Sequence, residues 1–97
     1  MKELILELSN LKKNIESYDF EYSKFEDSWR VLCLAQNEYI SKLKMIFDIV
    51  QSKEGRFEIQ QLTEQVRKFL KTKKTLPHSW IIALINSTIE IIEDESV

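Results

Sequence analysis

The chain has one histidine, His78, and one cysteine, Cys33, so a Cys–His nucleophile pair could come from a single combination. That pair could act only if the two side chains met in space. Cys33 lies in the most apolar stretch of the sequence, Trp29 to Ala35, which predicts a buried core thiol. His78 follows Pro77, in what reads as the first turn of a helix, a usual place for a surface or capping residue. A di-iron bundle needs a Glu-x-x-His on each of two helices, and one histidine cannot supply that. The acids are scattered without EF-hand spacing. A single glycine cannot build a phosphate-cradling loop. No catalytic residue, metal site or cofactor is expected, and the sequence points to a binding protein rather than an enzyme.

The elements that would position any site follow from composition and periodicity. Ninety-seven residues, 43% hydrophobic and 31% charged, fit one domain (1–97) with one core. One Gly and one Pro leave little turn chemistry, which favours a few long helices. A net charge of −2 does not suggest nucleic-acid binding. One cysteine makes no internal disulfide. The opening residues do not read as a signal peptide, and no apolar run reaches the roughly 18 residues of a membrane span. The expected location is the cytoplasm, with part of the chain at the membrane if the basic end meets lipid.

Four helices are predicted. The first covers 2–17, with Leu4, Leu8, Leu11 and Ile15 at steps of four, three and four. The second covers 23–52. It begins at a capping box, Ser23 to Glu26, and follows a stripe through Phe25, Trp29, Leu32, Gln36, Ile40, Leu43, Phe47 and Val50. Gln36 and Asn37 mark a place for a kink, and Gly55 suits the left-handed stop after the helix. The third covers 57–71, with Ile59, Leu62, Val66, Phe69 and Leu70 on one face. The fourth starts at Pro77 and runs through Trp80, Ile81, Leu84, Ile85, Thr88, Ile91 and Ile92, although residues 87–92 also carry strand propensity. The acidic tail from Glu93 opposes the helix dipole and should fray. Short connections make successive helices antiparallel, so the fold class is all-α, an up-down-up-down four-helix bundle. Its expected core is Trp29, Leu32, Leu43, Phe47, Leu62, Val66, Phe69, Leu84 and Ile85.

Charge placement selects a candidate site. Arg67, Lys68, Lys71, Lys73 and Lys74 occur with no acid before Trp80, whereas residues 16–27 hold five acids and one lysine. In such a bundle these two regions share one end. Either they offset each other, or the basic region faces an acidic protein surface or anionic lipid. Lys71, Lys73, Lys74, His78 and Trp80 are the candidate partner-binding residues, Trp being common at interface hot spots. The fourth helix is apolar around most of its circumference, so it is either a central core helix or one side of it is open to a partner helix.

The second half of the chain resembles the class IIa (pediocin-like) bacteriocin immunity proteins. The resemblance lies in Ile59, Leu62, Val66, Phe69 and Leu70, then Lys73 and Lys74, then Leu76, Pro77 and Ser79, and the run from Ile82 to Ile89. It implies an antiparallel four-helix bundle in the cytoplasm that protects the producing cell. Its partner would be the sugar-uptake permease that the bacteriocin targets, in complex with the bacteriocin, with the C-terminal half setting specificity. The competing expectation is a phage- or plasmid-encoded soluble inhibitor or regulatory adaptor of a host protein. A third is an assembly helper that dimerises; sequence alone leaves the oligomeric state open.

Overall fold

The computed structural model describes residues 2–72 and 76–95. It contains α1 (Lys2–Ser17), α2 (Phe25–Ile49), α3 (Lys53–Lys71) and α4 (His78–Glu95). Neighbours in sequence pack together, α4 returns to α1, and α2 meets α4 across the centre. The fold is therefore the expected all-α four-helix bundle, with α1 and α3 kept apart by the α2–α4 diagonal.

Polar contacts fix the directions. Lys12 Nζ donates to Asn86 Oδ1 at 3.0 Å, and the Phe20 ring stacks on His78, so α1 ends where α4 begins. Lys42 pairs with Glu7 at 2.8 Å across α2 and α1. Both partners are partly solvated, so the pair contributes on the order of 0–1 kcal/mol. Ser52, at the start of α3, bonds Glu95 at the end of α4. The connections after α1 and after α3 thus share one end of the bundle, as expected.

The core is built from period-matched stripes: Leu4, Leu8, Leu11 and Ile15 from α1, Tyr39, Leu43, Ile46 and Val50 from α2, Ile59 and Val66 from α3, and Ile81, Ile85 and Ile92 from α4. Each fully buried aliphatic side chain stabilises the fold by roughly 1.5–3 kcal/mol relative to exposure.

Several expectations are corrected. Of the expected core, Leu43, Val66 and Ile85 are buried, and Leu32, Phe47, Leu62, Phe69 and Leu84 pack partly buried against it. Trp29 is 49% exposed and belongs to the surface. Cys33 is half-buried rather than enclosed. The buried line on α2 is Gln36, Tyr39, Leu43, Ile46 and Val50, alternating steps of three and four, and it passes beside Phe25 and Trp29.

Helix ends differ too. α2 starts at Phe25, with Lys24 in the cap position and no side-chain cap bond. Ser23 instead donates to the Asp19 carbonyl, while Asp19 Oδ1 accepts the Glu21 and Tyr22 amides at 3.1 Å each. The Ser23 hydroxyl is thus turned back to the loop that Asp19 closes as an Asx turn, and no capping box forms. α2 is assigned as helix without interruption through Gln36 and Asn37. Gly55 is not the stop after α2. It lies in the first turn of α3, where its amide donates to the N-cap Ser52 Oγ at 3.0 Å. Val50 closes α2 in an extended conformation. Residues 87–92 are helical, as expected of the fourth helix despite their strand propensity, and α4 persists through Glu93 and Asp94 to Glu95 in place of the expected fraying; Ser96 and Val97 lie outside the described residues.

Candidate functional site

The connection between α3 and α4 is anchored by Leu76, whose side chain is buried and whose amide donates to Gln36 Oε1 at 2.8 Å. Gln36 is itself enclosed by the core. A buried amide bonded to a buried side chain fixes where the chain re-enters the bundle. Pro77 follows, and its carbonyl accepts the Trp80 and Ile81 amides at 3.0 and 3.2 Å, opening α4. Ile81 then turns into the core while Trp80, one residue earlier, is left outside.

Trp80 sits edge-on to Phe69 of α3, with ring centroids 5.8 Å apart and planes at 79°. This is a favoured aromatic geometry. The two rings, with Leu76, Ala83 and Leu84, form the floor and walls of a groove of about 350 Å³ between α3 and α4; Gln65 and Lys68 stand at its edge. Its lining is nearly all apolar, and its volume is at the small end of ligand pockets. α4 thus meets both readings of its sequence: Ile81, Ile85, Thr88 and Ile92 are core, and Trp80 and Ala83 face an open groove.

A second concavity lies between the same two helices further along. It is lined by Glu58, Gln61, Glu90 and Asp94 with Leu62, Ser87 and Ile91, so it is acidic where the first is apolar. Arg67, Lys68 and Lys71 are exposed and form no salt bridge with any described carboxylate. The acids of residues 16–27 do not neutralise these three cations by direct pairing.

Of the candidate partner-binding residues, Trp80 lines the groove and Lys71 is exposed at the end of α3. His78 is at the bundle end, its ring parallel to Phe20 within 5° and 4.5 Å away. Lys73 and Lys74 lie outside the described residues. Sequence reasoning did not single out Ala83, Leu76 and Gln65 as groove residues. The available signal was the spacing of Trp80, Ala83 and Leu84 on α4 opposite Gln65, Lys68 and Phe69 on α3, each set falling on one helical face. Among the described residues, no three His, Cys, Asp or Glu side chains gather as a metal site, and no helix is long and apolar enough to cross a membrane. No family model, curated protein or solved structure matches the chain.

Proposed function

We propose that this protein is a non-enzymatic binding module whose α3–α4 groove takes an apolar anchor from a protein partner. The observation that carries this reading is the apolar groove itself, walled by Phe69, Leu76, Trp80 and Leu84 beside exposed cations. Helix-in-groove recognition uses such sites: side chains spaced three and four apart fill an apolar trough, and rim charges set encounter and orientation. Trp80 is well placed as a hot spot, since a contact of 2 kcal/mol or more is typical of a Trp buried at an interface.

The narrower proposal is bacteriocin immunity in the cytoplasm, by contact with a membrane permease holding a pediocin-like bacteriocin. It is supported by the sequence pattern from Ile59 to Ile89 and by a bundle that puts Trp80 and Lys71 at one end. That end is where a contact with a membrane-embedded partner, or peripheral contact with anionic lipid, would occur. The second reading is a soluble inhibitor or adaptor of a host protein, which would use the same groove with no preference for membranes.

The test is expression in a sensitive strain, challenged with a panel of pediocin-like bacteriocins. Protection against at least one member is expected, and Trp80→Ala combined with Lys73→Ala and Lys74→Ala should weaken it without unfolding the protein. Lack of protection across a broad panel would remove the immunity reading and leave the soluble adaptor. Protection that survives these substitutions would remove Trp80 and the lysines from the site.

A further inference from the structure

A surface of exposed aromatic side chains shares the bundle end with the groove. α2 carries no buried residue from 25 to 34, which is about 15 Å of helix at 1.5 Å per residue. Phe25 is 82% exposed and Trp29 half exposed on the outer side of this segment, whose Leu32 packs against the core, and Tyr22 precedes them on the surface. An aromatic cluster of this kind left in water marks an interaction site. Its charges are mainly negative: Asp19, Glu21, Glu26 and Asp27 against Lys24 and Arg30. None of these forms a salt bridge with a described residue.

The groove is the counterpart in sign. It is concave and apolar, and Lys68 at its edge is flanked along α3 by Arg67 and Lys71. The Phe20–His78 stack ties the loop that leads into α2 to the start of α4, so the aromatic surface and the groove belong to one end of one molecule. A two-fold pair requires each copy to present both halves of a self-complementary contact on one patch.

We infer that a second copy of this chain fills the groove. In this pair, Phe25 and Trp29 of each copy enter the partner's α3–α4 groove, with Glu26 and Asp27 opposite Lys68 and Lys71. The inference rests on the reading of the groove as a docking surface and adds its regulation: self-association covers Trp80, and another partner must compete for it. Aromatic side chains bury about 150–250 Å² each when fully covered; with Phe25 82% and Trp29 49% exposed, two reciprocal insertions with their sockets reach on the order of 1,000 Å², the low end of specific interfaces.

Sedimentation velocity of the full chain across micromolar concentrations, at low and high salt, tests this. A monomer–dimer equilibrium that tightens at low salt is expected. Phe25→Ala with Trp29→Ala should raise the dimer dissociation constant about 30-fold or more, the loss of one aromatic hot spot. Ala83→Arg, which fills the groove from an exposed position, should do the same. Lys68→Glu should weaken the pair, and adding Glu26→Lys and Asp27→Lys to it should restore binding. Circular dichroism should show all variants folded. A monomer at every concentration would overturn the inference, as would a dimer indifferent to either the Phe25/Trp29 variant or the groove variant, or growth into open oligomers. If Ala83→Arg abolishes bacteriocin protection by a strictly monomeric protein, the self-pairing fails while the groove's function stands. If both variants break a real dimer and no bacteriocin is resisted, the pairing stands and the immunity reading fails.

Discussion

The hydroxyls of Tyr39 on α2 and Thr88 on α4 lie 2.8 Å apart in the core, and the Leu84 carbonyl is within 3.2 Å of the first and 2.8 Å of the second. This is a polar junction on the central diagonal of the bundle. Burial pushes the Tyr39 phenol up to about 12, against a smaller downward effect of the Thr88 hydrogen bond. The unfolded phenol ionises near 10, so between about pH 10 and 12 the unfolded chain loses a proton that the folded one keeps. Stability from this group is complete below pH 10 and falls as pH rises through that window, by roughly 2–3 kcal/mol. Denaturant titrations of wild type and Tyr39→Phe should show this alkaline slope in the wild type and its loss in the variant. At neutral pH, Tyr39→Phe should cost about 1 kcal/mol, because Thr88 keeps its own bond to Leu84.

Gln36 holds the α3–α4 connection through the Leu76 amide. Gln36→Leu leaves that buried amide without an acceptor and should destabilise the protein by about 1–3 kcal/mol. Amide hydrogen exchange should report the change at Leu76 before the rest of the core, since the bond secures a local segment.

Gly55 is required by close approach. A Cβ there would stand 2.7 Å from Val50 Cγ1, 2.8 Å from the capping Ser52 Oγ and 2.5 Å from Glu95 Oε1. The Glu95 carboxylate can swing away, but Val50 is buried and Ser52 is the cap of α3. Alanine gains up to about 1 kcal/mol of helix propensity, and crowding of this kind costs about 1–3 kcal/mol. Gly55→Ala should therefore be net destabilising by about 1 kcal/mol in a urea titration, with Gly55→Val clearly worse.

Two residues of the expected core should respond very unequally. Leu43 is fully buried, and Leu43→Ala should cost roughly 2–5 kcal/mol. Trp29 is half exposed, and Trp29→Ala should change the stability of the isolated monomer by only about 0.5 kcal/mol, as surface substitutions do. Equal losses in chemical denaturation would place Trp29 in the core after all.

The bundle was legible in the sequence because helix periodicity, scarce turn residues and short connections all led to the same topology. α1 is the clearest case: Leu4, Leu8, Leu11 and Ile15 were readable as a stripe, and all four are buried. α2 was misread at its N-terminal end for a physical reason. Apolar residues surround its middle, so two overlapping stripes fit equally well. Only tertiary packing selects the one through Tyr39 and Ile46 and leaves Phe25 and Trp29 outside. Gly55 misled because a glycine after a helix usually ends it, whereas here the next helix has already begun at Lys53 and needs the missing side chain. Trp80 was identifiable from its neighbours' charge and its own chemistry. The groove it lines depends on how Phe69 and Leu84 face each other across two helices, which no local pattern encodes.

The central claim is that the α3–α4 groove receives a protein partner, and Ala83→Arg tests it most directly. Ala83 is exposed and lines the groove, so arginine there obstructs the site without entering the core. Wild type and variant, shown equally folded and equally expressed, should be compared for protection of a sensitive strain against a panel of pediocin-like bacteriocins. The account predicts protection by the wild type against at least one member and its loss in Ala83→Arg. Undiminished protection by Ala83→Arg would contradict it.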